Sequence, residues 1–105
     1  MGPRRRRVSW TDRALSAVDE ALAYVAADSP AAAERLLIRI LDSANSLSDL
    51  TERGRMVPEF TDPGVRELII APYRLIYEYD ESTVRILALI HSSREFKLRR
   101  PDRSL

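Results

Sequence analysis

The stretch Val65–Ser92, VRELIIAPYRLIYEYDESTVRILALIHS, decides the fold. It is dense in Val, Ile, Leu and Tyr, side chains that suit a pleated, half-buried surface. Tyr73, Leu75, Tyr77 and Tyr79 alternate with Arg74, Ile76 and Glu78, the period-two pattern of a strand with two distinct faces. Two breaks cut the run. Ala71-Pro72 interrupts it once, because proline has no N–H for a ladder and biases the residue before it toward extended geometry. Asp80-Glu81-Ser82-Thr83 interrupts it again as a polar connection of hairpin length. The expectation is three strands, about 65–71, 73–79 and 84–91, joined as an antiparallel meander.

Upstream, Val8-Ser9-Trp10 reads as a short strand added to that sheet. Thr11 or Ser9 then supplies an N-cap, and Asp12 sits in the first turn of a helix, where negative charge is favoured. Leu15, Val18, Leu22 and Val25 recur at spacings of three and four, giving an amphipathic helix over about 12–27. Asp28-Ser29-Pro30 ends it and begins the next, with Ser29 as N-cap and Pro30 where a missing N–H costs nothing. Ala33, Leu37, Ile40, Ala44 and Leu47 form the stripe of this second helix, about 30–50, with Leu36, Leu41 and Leu50 broadening it. So short a joint makes the helices an antiparallel hairpin. Residues 50–64, with Gly54, Pro58, Pro63 and Gly64, read as a long connection. The order strand, helix, helix, three strands is an α+β, two-layer arrangement, β-α-α-β-β-β.

At 105 residues the chain has the length of a single domain with one modest core, about 8–96, with residues 1–7 and 97–105 expected to be flexible. No apolar run approaches the roughly 20 residues of a membrane span. MGPRRRR is followed by VSWTDRA and not by an apolar segment, which argues against a signal peptide. The absence of cysteine excludes disulfides and thiolate metal sites. The formal net charge is only +1, yet Arg4–Arg7 and Arg94–Arg103 are both basic. Such ends suit an acidic partner or nucleic acid, or else plain solvation.

Neither a metal-ligand spacing, a phosphate-cradling glycine loop nor a nucleophile elbow is present; no cofactor or metal is expected. The candidate chemistry is Glu59, Arg66, Arg74, His91 and Arg94. Arg74 stands in an otherwise apolar strand, where a guanidinium needs water, a carboxylate or a phosphate; a salt bridge to Glu78 or Glu59 would satisfy it without any function. His91, the single histidine, is the natural acid–base at neutral pH, or else a hydrogen-bonding element of the Ser92-Ser93-Arg94 corner. Glu59 is a base only if its loop folds over the sheet. Arg66 and Arg94 are phosphate-binding candidates by residue type.

The ordered set Gly54-Arg55-Met56-Val57-Pro58-Glu59-Phe60, Val65-Arg66-Glu67-Leu68, Tyr73-Arg74-Leu75-Ile76-Tyr77 and Ile90-His91-Ser92-Ser93-Arg94-Glu95 resembles the RelE/ParE superfamily of bacterial type II toxin–antitoxin toxins over about residues 8–96. The resemblance implies a helical hairpin on a small antiparallel sheet. It also implies a cytoplasmic growth inhibitor neutralised by a cognate antitoxin, in a heterotetramer or larger complex. RelE-like members cut mRNA on the ribosome, and onto their catalytic set Glu59, Arg74 and His91 would fall. ParE-like members poison DNA gyrase and keep little of that set. Leu68, where the nucleases often carry a second basic residue, and Phe96, which lacks a tyrosine hydroxyl, depart from the nuclease pattern. The resemblance therefore favours gyrase over ribosome and mRNA. Arg66, Arg74, Arg94, Lys97, Arg99 and Arg100 are the corresponding expected contacts to target or nucleic acid.

Overall fold

The computed structural model describes residues 5–94 and 96. The elements are β1 (Arg7–Trp10), α1 (Asp12–Asp28), α2 (Pro30–Ser46), β2 (Arg55–Met56), β3 (Val65–Ile70), β4 (Tyr73–Tyr79) and β5 (Thr83–His91). They build one sheet in the order β1-β5-β4-β3-β2. The expected meander β3-β4-β5 is antiparallel throughout, and β1 lies parallel to β5 at its outer edge. The α+β reading holds.

Helix boundaries follow their caps. Thr11 Oγ1 accepts the Ala14 N–H at 3.1 Å and donates to the Leu87 carbonyl, tying the start of α1 to β5. Ser29 does double duty. Its N–H closes α1 on the Val25 carbonyl, and its Oγ accepts the Ala32 N–H at the start of α2, so the joint between helices is a single residue with Pro30 following.

The buried stripe of α1 is turned by one residue from expectation. Ala14, Val18 and Ala21 are buried, while Leu15 is 49% exposed. Small alanines let the helix backbone approach the sheet closely, and a stripe read from the large side chains alone misses that. In α2 and its C-cap, Ala33, Leu36, Ile40, Ala44 and Leu47 are buried, whereas Leu37 is half-buried and Leu41, like Leu50 beyond the helix, is exposed. α2 also ends at Ser46, four residues short of expectation, in a turn over residues 47–49.

Both faces of the sheet are covered, which is why β5 reads as a nearly unbroken apolar run. One face carries Leu68, Ile70, Leu75, Tyr77, Val84, Ile86 and Leu89 under the helices. The other carries Val65, Ile76, Leu87 and Ala88 under Val57, Phe60 and Phe96. A β-bulge lets β5 serve both: Ile76 pairs with Ala88 but Tyr77 with Ile86, leaving Leu87 as the extra residue, so that Leu87 and Ala88 share a face.

Residues 50–64 are not all connection, because Arg55–Met56 pairs with Glu67 and Arg66 as a fifth strand. Tyr77 anchors the approach to it. Its buried hydroxyl donates to the Thr51 carbonyl at 2.7 Å and accepts the Gly54 N–H at 3.0 Å. A Cβ on Gly54 would lie 2.6 Å from that hydroxyl and 2.7 Å from the Glu67 carbonyl oxygen, so the close approach requires glycine. Among the described residues, Arg6 and Arg7 have partners on the sheet and its loops. Arg7 pairs with Thr83, and Arg6 donates to the Asp80 carbonyl and to Thr51 Oγ1. Residues 1–4 and 97–105 lie outside the described residues.

Ile40 and Leu37 provide a test of this packing. Ile40→Asp puts a charge where no solvent reaches and is expected to remove about 3 kcal/mol or more, enough to abolish the folded state of a marginal chain. Leu37→Asp, at a half-buried position, is expected to cost about 1 kcal/mol. Urea unfolding followed by circular dichroism distinguishes them.

Candidate functional site

β4 alternates its side chains, and Arg74 consequently emerges on the face away from the helices, beside Ile76 and opposite Ile69 and Ile90. That face is apolar, and Arg74 is only 6% exposed. A guanidinium so placed requires acceptors, and two carboxylates supply them. Glu67, on the same face of β3, has its side chain fully buried and accepts Arg74 Nε at 2.6 Å. Glu59 accepts from both terminal nitrogens, Nη1 at 2.8 Å and Nη2 at 2.7 Å, the two-pronged fork that suits arginine and not lysine.

Glu59 reaches this position because the chain turns over the sheet at residues 57–60. Val57 is buried among Val65, Ile76 and Phe96, and the Phe60 N–H closes the turn on the Val57 carbonyl at 3.0 Å. Glu67 is shared with a second arginine. Arg55 stands directly across from it in the β2–β3 register and donates Nε to its other oxygen. The result is a neutral chain of two arginines and two glutamates, Arg55–Glu67–Arg74–Glu59. Arg74 and Glu59 further hold the backbone beyond β5: Arg74 Nη1 donates to the Arg94 carbonyl at 3.1 Å, and Glu59 Oε2 accepts the Phe96 N–H at 2.9 Å. Among the described residues no buried side-chain nitrogen or oxygen lacks a partner.

His91 is elsewhere. It pairs across the ladder with Tyr73, whose ring packs against the helix-side cluster, so His91 lies on the face opposite Arg74. The two rings meet edge-on with centroids 5.8 Å apart. Its Nδ1 accepts the Ser93 N–H at 3.1 Å and lies 2.8 Å from Ser93 Oγ, which leaves the proton of the neutral ring on Nε2. Glu59 and Arg74 are thus brought together, and His91 is not brought to them. Arg66 shares the helix-side face with Tyr77. It spends its guanidinium on the Gly54 and Pro63 carbonyls and lies over the Tyr79 ring. Arg94 is exposed. Lys97, Arg99 and Arg100 lie outside the described residues. Among the described residues no group of His, Cys, Asp or Glu could hold a metal ion, and no helix is long and apolar enough to cross a membrane.

Glu67 and Arg55 join this constellation beyond the candidate residues that the sequence singles out. A lone carboxylate in the otherwise largely apolar strand VRELII is the signal that could have marked Glu67, but its partner Arg55 becomes visible only once a two-residue strand is placed beside it.

The family described as ParE toxin of type II toxin–antitoxin system, parDE, matches residues 8–96, the span holding every element above but for Arg7 at the start of β1. The chain belongs to this ParE toxin family. Relatives agree: it is 34% identical over 89 residues to the toxin RelE2 of Caulobacter vibrioides, covering 84% of this chain and 97% of that one. It is 35% identical over 98 residues to the putative toxin Y4kP of Sinorhizobium fredii, covering 88% and 94%. A solved structure described as the chromosomal ParDE TA system from P. aeruginosa shares the fold, with a TM-score of 0.69 at 22% identity over 84% of this chain and 97% of that one.

In this ParE-family chain the ion network governs its own titration. The hydrogen bonds from Arg74 hold the Glu59 carboxyl at about 2, against an ordinary 4.5; burial opposes them, and the Phe96 N–H adds to them. Glu59 in turn raises Arg74 further above its ordinary range, again against burial, with Glu67 contributing in the same direction. Since Glu59 is depressed in the folded state, its stabilisation is present above about pH 4.5 and is lost as pH falls toward 2. Glu59→Gln is therefore expected to lie about 2 kcal/mol below the wild type near neutrality, allowing for solvent screening of a partly exposed group. The gap should close between pH 4.5 and 2, as read from urea midpoints across that range. A gap independent of pH would mean that the ionised pair contributes nothing.

Proposed function

We propose that this toxin acts by binding, poisoning DNA gyrase, and that a cognate antitoxin silences it in the cytoplasm within a heterotetramer or larger assembly. The observation that carries this reading is the allocation of Arg74 and Glu59 to each other on the sheet face opposite His91. Cleavage of RNA by general acid–base chemistry requires a base at the 2′-hydroxyl, an acid at the leaving oxygen and a cation on the phosphate, all converging on one point. A carboxylate held near 2 by a fork of hydrogen bonds is a weak base, and an arginine neutralised by two carboxylates offers little field to a phosphate. An inhibitor that traps another enzyme requires only a recognition surface.

The antitoxin reading has its own support. Leu15, Tyr24, Ile38 and Leu41 are exposed on the helical hairpin, an apolar surface of the kind a partner segment covers.

Supercoiling by purified gyrase, with and without the toxin, tests the target, alongside mRNA cleavage in a translating extract. Inhibited supercoiling with intact mRNA is expected. His91→Ala is expected to leave growth inhibition unchanged, whereas a catalytic histidine would cost roughly 10²–10⁴-fold. Ending the chain after Phe96 is expected to weaken inhibition by removing Lys97, Arg99 and Arg100. Ribosome-dependent cleavage that disappears with His91→Ala, with gyrase undisturbed, would establish the nuclease instead.

A further inference from the structure

Among the described residues, the exposed large apolar side chains fall into two groups. Leu15, Tyr24, Ile38 and Leu41 lie on the helical hairpin, whereas Leu50, Met56 and Ile69 lie around the β2–β3 edge of the sheet. The second group coincides with an unfinished ladder. The Gly64 carbonyl accepts the Tyr79 N–H. In the β3–β4 register Arg66, Leu68 and Ile70 therefore bond to β4, while Val65, Glu67 and Ile69 direct their backbone groups outward. The Val65 N–H is taken by the Asp62 carbonyl, and Glu67 faces Arg55 of β2. Continued by two residues, that register would put Arg53 opposite Ile69, but the chain has turned away and the Arg53 N–H donates to the Leu50 carbonyl. β2 is two residues long and β3 six, so among the described residues no strand lies beside Ile69.

The surroundings of this open edge are basic. Arg39 reaches its far end from α2, donating Nη2 to the Ala71 carbonyl at 3.1 Å. Arg55 stands at its near end, mostly exposed although its Nε is engaged by Glu67. Arg53 is exposed and touches the end of α2 through one nitrogen, Nη1, on Ser46 Oγ. Against these stands the exposed Glu52, because Glu67 is buried and already shared between Arg55 and Arg74. An unpaired strand edge invites another strand, and arginine and methionine are enriched where proteins meet.

We propose that the β3 edge at Leu68–Ile70 is the surface on which this toxin receives its target, taking an extended, acidic segment of that protein as an added strand beside Ile69. This rests on the binding reading above and names the surface and the chemistry of the partner. The outward N–H and carbonyl of Ile69 fix the register of the added strand. Ile69 and Met56 offer apolar contact on opposite faces of the sheet, and Arg39, Arg53 and Arg55 meet its carboxylates. The exposed residues of the hairpin take no part and stay with the antitoxin.

Ile69→Pro is the sharpest probe, because it deletes an N–H that β4 does not use. Arg53→Glu reverses one charge at an exposed position, and Arg53→Lys keeps it. Each variant is read for growth inhibition from a titratable promoter, for supercoiling by purified gyrase, for antitoxin affinity and for its urea midpoint. Ile69→Pro and Arg53→Glu are expected to raise the dose for half-inhibition about tenfold or more, and Arg53→Lys to recover most of the potency. Antitoxin affinity and urea midpoints are expected to stay at the wild-type values. In the wild type, added gyrase is expected to slow hydrogen exchange of the Ile69 amide about tenfold or more. Unchanged potency of both folded variants would overturn the docking edge. A parallel loss of antitoxin affinity would also overturn it, by assigning the edge to the antitoxin. If Ile69→Pro loses cooperative unfolding, Arg53→Glu and Arg53→Lys decide. Gyrase undisturbed by the wild type, with growth inhibition still lost in both variants, would refute the gyrase target and uphold the edge.

Discussion

A guanidinium on an apolar sheet face is the constraint around which this molecule is arranged. Arg74 is placed there by strand alternation, and its burial would be ruinous without acceptors on the same face. Glu67 comes from the neighbouring strand, Glu59 from a turn that folds over the sheet. Glu67 is itself fully buried and draws in Arg55, which gives the two-residue β2 its reason to pair. Breaking such a set by deleting one member leaves an uncompensated charge, typically about 3–5 kcal/mol, although an apolar replacement of the whole set can be neutral. The network thus buys placement more than stability. It sets where the 57–60 turn lies, where β2 pairs and where the chain goes after His91.

The same allocation separates two ways of using a toxin of this family. With Arg74 and Glu59 engaged on one face and His91 on the other, the three groups do not form one centre. A binding mechanism makes no such demand. It asks that a surface be presented in a fixed attitude, which a rigid sheet covered on both faces supplies. The distribution of the remaining arginines is consistent with that. Arg6 and Arg66 are spent on backbone carbonyls and lie over the ring of Tyr79, where they fasten the N-terminal strand and the residue 52–54 turn to the sheet.

Much of this was legible in the sequence for reasons that are physical. Caps and proline marked the helices, so Thr11, Ser29 and Pro30 located their starts to within a residue. The alternation through Tyr73–Tyr79 marked both faces of β4, and the polar Asp80–Thr83 joint was visible because Asp80 accepts the Ser82 and Thr83 N–H groups in a tight turn. The family resemblance was carried by ordered short motifs and agrees with the match over residues 8–96. What escaped was non-local or small. Large side chains phase the α1 stripe on Leu15 because alanine carries a weak hydrophobic signal, although Ala14 and Ala21 are the residues buried in the core. A two-residue strand has no periodicity to read. The sequence offers Arg74 two carboxylates, Glu59 and Glu78, and Glu78 pairs instead with Arg85. Glu67 meets Arg74 only through the β3–β4 register, which leaves no local trace in the sequence. The side on which His91 lies depends on its pairing with Tyr73, which the sequence does not display.

The most direct measurement is the titration of the Glu59 carboxyl carbon by nuclear magnetic resonance in the folded protein. If the fork from Arg74 and the Phe96 N–H hold this carboxylate as described, its resonance stays at the ionised position through pH 4.5 and moves only on approach to pH 2. A midpoint near 4.5, that of an ordinary glutamate, would contradict the arrangement and return Arg74 to the pool of cations free to meet a phosphate.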